Sequence, residues 1–480
     1  MLGVVTFLSF AYFYEGGGWN QNSRFDLVRA IVERHTLQID AYHENTGDKA
    51  HFQGHYYSEK APGLVFLAVP FAWAAQHGLR VLEIDPESAR GEFALSYLVT
   101  LWAVALPAAL AGVCLFFLGL RFTGSMTGSA FGALMMCIGT PIWAYASLFW
   151  AHAVVGACLL FAFAAALKLG EPGGAKILKI NGDFLWALGV GLAAGWATVT
   201  EYPAAPASAM LALLALSQAW PRGPGARWRA VAGAGAGAGI CVVVLLWYLQ
   251  AAFGSFRPSY SYYDPNSFAF MQQRGFFGLT YPHPDRLLKL LFGCARGLCF
   301  ASPVTIAAPL GLWWWRAKTQ RAAALVAGAI AAYYFLFNAS FYWWKAGLSF
   351  GPRYAGACIP VLCVGLAVAW QRATRTWRGA LLVLAACSVL VALMAVSTTP
   401  QLSMQDSCPI VHSVWPAFWS GQMAVNRESM LTVAEAGSSG QYGAFNLGQL
   451  MGLHGLASLI PLFVMWGISG AMWRRVCRER

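Results

Sequence analysis

The sequence predicts an all-α polytopic membrane protein, and three observations lead to this fold class. Of the 480 residues, 58% belong to the apolar and aromatic set, only 11% are charged, and long apolar runs recur along the chain. A soluble domain carries roughly 25% charged residues, whereas a surface that faces lipid needs few. The composition therefore excludes a soluble globular enzyme.

Ten of the runs come near the length of about 20 apolar residues that a membrane-spanning helix needs, and two shorter runs, 1–14 and 184–199, join them to give about twelve predicted spans. They cover residues 1–14, 93–120, 125–146, 150–169, 184–199, 203–219, 229–253, 297–316, 321–339, 353–370, 379–397 and 454–473. A further run, 61–82, contains Pro62 and Pro70 and ends in polar residues, so we expect it to lie along the outer interface. If it spanned instead, residues 15–60 would face the cytoplasm.

The positions of the cations orient the chain. Lys and Arg fall in alternate short connections, which the positive-inside rule assigns to the cytoplasm. These cations are Arg121, Lys176, Lys179, Arg222, Arg227, Arg229, Arg316, Lys318, Arg321, Arg372, Arg375, Arg378, Arg474, Arg475, Arg478 and Arg480. Both termini are then cytoplasmic, and residues 15–92, 254–296 and 398–453 form large external segments. The net charge of +12 fits loops that face anionic lipid, and nucleic acid is not an expected partner.

Other patterns narrow the class further. Most of the 11 cysteines, including Cys114, Cys137 and Cys158, lie inside apolar runs, so a disulfide framework is not expected. No internal repeat is visible, which argues against a secondary transporter built from paired halves. The Gly-Ala alternation of residues 232–239 indicates instead a closely packed helix interface.

The first external region contains the polar residues of greatest interest. Residues 19–33 have helical periodicity, with apolar side chains on one face and Asn22, Asp26, Arg29 and Glu33 on the other. They predict an amphipathic helix on the membrane surface, whose polar face is either solvated or functional. Farther along the region are the carboxylates Asp40, Asp48 and Glu59.

A first span, an external amphipathic helix, the Tyr-x-x-Glu-Lys-x-Pro segment of residues 56–62 and a second interfacial helix together resemble the GT-C superfamily of polyprenyl-phosphate-dependent glycosyltransferases. The closest likenesses are to the aminoarabinose transferases of lipid A and the protein O-mannosyltransferases. The resemblance covers the layout of roughly the first 200 residues, and in motif only residues 20–63. Later segments, which are 273–278, 296–298 and 349–354, look like a bacterial branch of such proteins.

The resemblance implies inverting sugar transfer on the extracytoplasmic face of a bacterial inner membrane. It also implies a division into a catalytic transmembrane module, residues 1–253, and a C-terminal transmembrane module, residues 254–480. The expected partners are a polyprenyl-phosphate-linked sugar, an acceptor that is a lipid, a polysaccharide or a protein, and membrane lipids. The alternative is a non-catalytic flippase, or a transport or assembly protein for lipid-linked saccharides.

Such a reaction needs a carboxylate that takes the acceptor proton and cations that hold the lipid phosphate. The family's base is an Asp just after the first span, but Gln21 occupies that position here, and this departure favours the non-catalytic alternative. Another carboxylate must then act as the base. The predicted catalytic residues are Asp26, the nearest to the motif, Asp40 and Glu201, with Asp48 and Glu59 as further external candidates.

Lys60 matches the lysine that lies beside the lipid phosphate in the family. The other predicted phosphate-binding or donor-binding residues are Arg24, Arg353, Glu59, Tyr57 and His152, with Arg274 and Arg296 as weaker candidates. Each has a structural alternative, such as a headgroup anchor for Lys60 or a hydrogen-bonded core residue for His152. No metal or cofactor is expected, because the chain has no metal-ligand spacing, Walker loop or dinucleotide fingerprint.

Overall fold

A computed structural model describes residues 1–171, 181–266, 269–315, 320–437 and 441–478 of the chain. These residues form a bundle of α-helices with two small antiparallel sheets. Five of the cations predicted to be cytoplasmic lie outside the described residues, namely Lys176, Lys179, Arg316, Lys318 and Arg480. The fold class predicted from the sequence is confirmed.

In the first half of the chain, the external region 15–92 separates the first helix from a series of closely spaced helices. The helices are α1 Leu2–Ala11, α2 Trp19–Arg34, α3 Gly63–Val81, α4 Ala89–Thr100, α5 Leu106–Thr123, α6 Met126–Ile138, α7 Ile142–Ala146, α8 Ala151–Lys168, α9 Gly182–Thr200, α10 Ala205–Ala219 and α11 Pro224–Phe253. A π-helical turn, Leu101–Ala105, joins α4 to α5.

In the second half, short helices in the external segments alternate with longer ones. They are α12 Ala269–Gln272, α13 Pro284–Phe292, α14 Leu298–Ala301, α15 Ala307–Trp314, α16 Arg321–Ser340, α17 Ile359–Leu362, α18 Val364–Arg372, α19 Arg375–Thr398, α20 Trp415–Trp419, α21 Val433–Ala436, α22 Leu447–Leu450 and α23 Ile460–Arg478. Strands β2 Lys49–Phe52 and β3 His55–Ser58 form a hairpin, and β1 Phe13–Tyr14 pairs with β4 Phe445–Asn446.

Among the described residues, eight helices are long and apolar enough to cross a membrane, and the bent pair Arg353–Leu362 and Val364–Arg372 would make nine. The predicted count of about twelve is therefore not confirmed. Helix α1 has 10 residues, and the runs 125–146 and 297–316 are each divided into shorter helices. Pro141 and Pro303 lie at these divisions, where a residue without an N–H group cannot continue a helix.

The two ends of the bundle separate the predicted external residues from the predicted cytoplasmic ones. Helix α8 extends from His152 in its first turn to Lys168 in its last, about 24 Å at 1.5 Å per residue. At one end His152 contacts Glu201 and Arg353. At the other end Arg121 donates a hydrogen bond to the last turn of α8. This arrangement agrees with the alternation that the positive-inside rule predicts.

Helix α3 passes the length and hydropathy criterion for a span, but both of its flanks contact the external helix α2. Before α3, the hydroxyl groups of Ser58 and Ser23 lie 2.9 Å apart. After α3, Glu92 forms an ion pair with Arg29. Because α2 and both flanks of α3 lie at the same end of the bundle, these contacts favour the interfacial interpretation of residues 61–82. Their position in a membrane stays a prediction.

The polar face of α2 is buried, so the expectation of a solvated face is wrong. Asn22, Asp26 and Arg29 are each no more than 3% exposed. The third external segment covers them, since Asn22 Nδ2 donates to the carbonyl of Ser429 at 3.1 Å and Arg29 contacts Glu435. Ser429 is 407 residues from Asn22 in the sequence, so helical periodicity could not reveal this packing.

The Gly-Ala alternation of α11 packs against α9, as the sequence predicts. A methyl group added at Gly233 or Gly237 would collide with the backbone of α9, and one added at Gly191 would collide with the backbone of α11. Small residues let the two helix backbones approach closely. The packing fixes the end of α9, which is followed by Glu201.

One disulfide, between Cys294 and Cys408, joins the external segments 254–296 and 398–453. The Cα atoms of the two cysteines are 4.8 Å apart, within the usual range for a disulfide. The cysteines that lie in apolar runs are free thiols, in agreement with the expectation that they pack as small apolar residues. The bond covalently links two segments that the topology places on the same side.

Candidate active site

Charged side chains from distant parts of the sequence meet at the predicted external end of the bundle, and we call them the outer cluster. Its members are Arg24, Asp48, Glu59, Lys60, His152, Glu201 and Arg353. The sequence predicts six of them as site residues and Asp48 as a further carboxylate candidate. The cluster contains three cations and three carboxyl groups. Such a concentration of ionisable groups at one end of a membrane bundle is costly and marks a candidate site.

Local folding places these groups next to helix ends. His152 lies in the first turn of α8, and Glu201 follows α9 in an extended conformation, two residues before Pro203. Arg353 begins a 3-10 turn that leads into α17. A charge at the end of a spanning helix avoids the cost of burial in hydrocarbon. The apolar helices therefore place the polar groups at their ends next to one another, at the same end of the bundle.

His152 links a carboxylate to an arginine. Its Nδ1 lies 3.0 Å from Glu201 Oε2, and its Nε2 accepts a 2.9 Å hydrogen bond from Arg353 Nε. Because Nε2 accepts, the ring proton is on Nδ1 and is donated to Glu201. Arg24 Nη2 lies 3.7 Å from the other Glu201 oxygen, and Arg353 stacks over Trp150 at 4.2 Å. Glu201 and His152 thus hold two guanidinium groups in place.

Lys60 lies between two carboxylates. Its Nζ is 2.9 Å from Asp48 Oδ2 and also contacts the carboxylate of Glu59. The other Asp48 oxygen accepts a 2.9 Å hydrogen bond from the Tyr263 hydroxyl. The Glu59 side chain is fully buried, and its Oε2 has no hydrogen-bond partner in the part of the chain that the structure describes.

The carboxylates of the cluster differ in protonation. Burial raises the pKa of Glu59 to about 7, although Lys60 acts in the opposite direction. Burial would also raise the pKa of Asp48 and of Glu201. Lys60, Tyr263 and Arg353 together outweigh burial at Asp48, and His152, Arg24 and Arg353 together do so at Glu201. Both pKa values therefore lie below the ordinary carboxyl value. Near neutral pH, Asp48 and Glu201 are ionised and Glu59 is partly protonated.

Two cations of the cluster have N–H donors left for an anion. Arg24 uses Nη1 for two hydrogen bonds to Asn20, while its buried Nε has no partner among the described residues. Lys60 has three N–H donors, and its contacts with Asp48 and Glu59 engage two of them. Arginine and lysine with unused donors in a shielded site are well suited to bind phosphate oxygens.

Asp26, the first predicted base, lies apart from the outer cluster. It is fully buried, and its Oδ1 accepts a 3.2 Å hydrogen bond from Asn45. Burial raises the pKa of Asp26 well above its usual value, and the nearby charges that act on it are Arg29, Glu435 and Lys49. Asp26 thus belongs to the opposite side of α2 from Arg24.

Asp40 and Tyr57 also lie outside the outer cluster. The Asp40 side chain is 42% exposed, and its oxygens accept hydrogen bonds from His55 and from the Tyr56 amide. Tyr57 is buried against Phe253, with ring centroids 5.1 Å apart. These contacts indicate that Asp40 orders the β2–β3 hairpin and that Tyr57 packs it against the end of α11.

The two weaker arginine candidates have structural contacts. Arg296 is buried and donates to the backbone carbonyls of Lys345, Gly347, Leu402 and Ser403. With these acceptors its guanidinium fixes the loop that precedes Arg353. Arg274 stacks on Tyr342, 4.2 Å from the ring centre.

A second group of charges surrounds Arg29 on the opposite side of α2, and we call it the Arg29 cluster. Arg29 forms ion pairs with Glu33, Glu92 and Glu435, at 3.4 Å for Glu33 and 2.9 Å for Glu435. Its guanidinium lies 4.1 Å from the ring centre of Tyr42. One cation thus serves three carboxylates that come from α2, α4 and α21.

Trp150 and Tyr263 are site residues that the sequence interpretation missed. Tyr263 was visible only as one of several tyrosines in the segment 254–296. Its pairing with Ala50 at the edge of β2 brings it to Asp48, and no local pattern encodes that contact. Trp150 was visible only as one aromatic residue of the turn before His152, although it supports Arg353.

No family model and no curated relative matches the chain in sequence. In structure it is similar to ArnT from Cupriavidus metallidurans bound to undecaprenyl phosphate, with a TM-score of 0.54, 18% identity and coverage of 79% of this chain and 60% of that one. The apo form of ArnT gives a TM-score of 0.51 with 17% identity and the same coverage. The apo oligosaccharyltransferase of Archaeoglobus fulgidus gives 0.46 with 13% identity, over 84% of this chain and 56% of that one.

The match to ArnT confirms the fold that the sequence resemblance implied. At 18% identity it bears on the fold alone, and the present chain spans about 60% of the length of ArnT. The chain therefore shares the fold of ArnT, with its outer cluster at the predicted external end of the bundle.

Proposed function

We propose that the chain is a glycosyltransferase of the bacterial inner membrane that moves a sugar from a polyprenyl-phosphate donor to an acceptor on the extracytoplasmic face. The observation that carries the proposal is the convergence of Arg24, Lys60 and Arg353 beside two ionised carboxylates. A polyprenyl phosphate combines an anionic headgroup with a lipid tail, so its binding site must pair cations with a lipid-accessible bundle end. The complex of ArnT with undecaprenyl phosphate supports this class of donor.

In the proposed reaction the cations act on the leaving group. As the bond between the sugar carbon and the phosphate oxygen breaks, negative charge grows on the phosphate, and Lys60 and Arg24 stabilise it. Arg353 is held by His152 and stacked on Trp150, so it needs little reorganisation to contribute. A carboxylate takes the proton of the acceptor as the acceptor attacks the opposite side of the sugar carbon. This attack inverts the configuration of that carbon.

The alternative is a protein that binds or moves a lipid-linked saccharide without transferring the sugar. Gln21, at the position of the family's base, favours this alternative. The outer cluster favours transfer, because it places ionised carboxylates beside the cations, and transfer needs a carboxylate there to take the acceptor proton. We therefore assign Asp26 and Asp40 structural roles and seek the base within the outer cluster.

The experiment uses purified protein in liposomes, a panel of undecaprenyl-phosphate sugars labelled in the sugar, and a membrane extract as the source of acceptor. We expect label to move to an acceptor with the wild type and to be lost with Lys60→Ala. Lys289→Ala is the matched control, because Lys289 is an external lysine that is exposed and pairs only with Asp285 among the described residues. If label crosses the bilayer but is never transferred, the carrier alternative is correct.

A further inference from the structure

We propose that Asp48 is the general base of this reaction and that Tyr263 positions it, an inference that rests on the proposed function. Asp48 would replace, from a loop, the carboxylate that is missing at Gln21. The geometry points to Asp48 because it is the ionised carboxylate that directly contacts the predicted phosphate-binding lysine. It is also oriented by a second residue, since the Tyr263 hydroxyl donates to its other oxygen.

Glu201 is the competing carboxylate, but its two oxygens have another use. Glu201 Oε1 faces Arg24, and Glu201 Oε2 accepts a hydrogen bond from His152, which itself accepts one from Arg353. If Glu201 took a proton during turnover, the contact that orients His152, and through it Arg353, would be weakened. Its contacts are those of a group that positions cations.

The loop that contains Asp48 is tied to the start of α2. The Thr46 hydroxyl donates to the Trp19 carbonyl at 2.8 Å and accepts from the Asp48 amide at 3.0 Å. Between them, Gly47 lies against the Trp19 ring, where a Cβ atom would clash. These contacts fix a loop carboxylate close to the helix turn that contains Gln21.

A second tie comes from the external segment 254–296. Ala50 and Tyr263 form an antiparallel bridge, and the Asp264 amide donates to the Lys49 carbonyl at 3.0 Å. The segment therefore extends the hairpin edge and sets the Tyr263 hydroxyl 2.9 Å from Asp48. A tyrosine donor and a lysine donor on separate oxygens fix the plane of the carboxylate.

The separation between Asp48 and a phosphate on Lys60 suits a base. The third N–H of Lys60 can reach a phosphate oxygen at about 2.7–2.9 Å. Because the N–H bonds of an ammonium group diverge at about 109°, Asp48 would then lie roughly 4.7 Å from that oxygen. A base needs about 2.6–3.2 Å to the acceptor hydroxyl, which itself approaches the sugar carbon to about 3–3.5 Å. An acceptor hydroxyl that lies to one side of the line from Asp48 to the phosphate oxygen can meet both distances.

The step balances without any co-reactant. The acceptor oxygen, or an amine nitrogen, forms a bond to the sugar carbon while the bond from that carbon to the phosphate oxygen breaks. The electron pair of the broken bond stays on the polyprenyl phosphate. The acceptor proton moves to Asp48, which returns it to water after the product leaves.

The test compares wild type, Asp48→Ala and Glu201→Ala in liposomes with the undecaprenyl-phosphate sugar that the wild type uses. We expect the kcat of Asp48→Ala to fall about 100-fold or more, a usual share for a general base. Binding of undecaprenyl phosphate should persist, because Lys60 and Arg24 are intact. Added formate should restore part of the rate to Asp48→Ala and none to Glu201→Ala, since formate can fill the vacated space and accept a proton.

Two further variants test whether Tyr263 positions Asp48 or has only a structural role. Tyr263→Phe should lower kcat less than Asp48→Ala, leave KM for the donor unchanged and show no formate rescue. Glu44→Gln is the matched control, because Glu44 is an exposed carboxylate four residues from Asp48. Full activity of Asp48→Ala, loss of phosphate binding in that variant, or formate rescue of Glu201→Ala in its place would each overturn the assignment. Failure of the wild type to transfer any sugar is a different result and refutes the proposed function instead.

Discussion

Helix α2 separates two groups of buried charges that differ in the balance of their contacts. On one side, Arg24 belongs to the outer cluster, in which cations and carboxylates are equal in number and Arg24 Nε is left without a partner in the described chain. On the other side, Arg29 is surrounded by Glu33, Glu92 and Glu435. One arginine has donors left for an anion, and the other has a surplus of acceptors.

This difference indicates a different role for each of the two arginines. A buried guanidinium whose three nitrogens already contact carboxyl oxygens is poorly placed to bind a phosphate as well. Its contacts instead join α2, α4 and α21, so that the third external segment is held over α2. A buried guanidinium with an unused donor keeps part of its desolvation cost until a ligand accepts a hydrogen bond from that donor. Substitutions on the two sides should therefore affect different measurements.

The largest effect is expected on stability, from Arg29→Met. Removal of the guanidinium leaves three carboxylates without their cation, and Glu92 is only 1% exposed. Breaking a buried pair in this way costs about 3–5 kcal/mol. Thermal unfolding in detergent should show a large fall in Tm. Glu92→Gln is the companion variant, and it should cost less because it removes one of the surplus carboxylates. An unchanged Tm for Arg29→Met would contradict a structural role for this cluster.

Arg24→Met should give the opposite pattern, with little change in Tm and a clear loss of donor affinity. A hydrogen bond to a charged group contributes about 1.5–3 kcal/mol, which is roughly a 10- to 150-fold change in Kd. Binding of undecaprenyl phosphate measured on the purified protein tests this directly. A fall in Tm as large as that of Arg29→Met, with donor affinity retained, would show that the two sides of α2 have the same role.

The pH dependence of donor binding should come from Glu59. Burial raises the pKa of Glu59 to about 7, so the group is neutral below that pH and negative above it. A sugar phosphodiester donor carries one constant negative charge, and it repels the ionised form. Donor affinity should therefore decrease as pH rises through about 7, up to tenfold for each unit by which the donor raises the Glu59 pKa. Glu59→Gln should bind with the same affinity across this range, and a persistent slope in that variant would assign the effect to another group.

The sequence predicted the outer cluster much better than the Arg29 cluster. Lys60, Glu201 and Arg353 were identifiable because a charge at the end of an apolar run is costly and stands out. Helical periodicity also predicted the polar and the apolar face of α2, but it could not identify the segments that cover them. The segment that covers Asp26 lies about 400 residues away, and contacts at that separation leave no local signal. Asp48 was underestimated for the same reason, since Tyr263 reaches it from another external segment.

The smallest effect is expected from Asp26→Asn. Burial raises the pKa of Asp26 well above its usual value and thus favours the neutral carboxyl, and an amide of the same shape can keep the contact with Asn45. A carboxyl on the far side of α2 from Lys60 is not placed to act as the base for a phosphate bound there. Sugar transfer by this variant should stay within about twofold of wild type and stability within about 1 kcal/mol, the scale of one hydrogen bond. Loss of transfer with an unchanged Tm would move the site to the Arg29 side of α2.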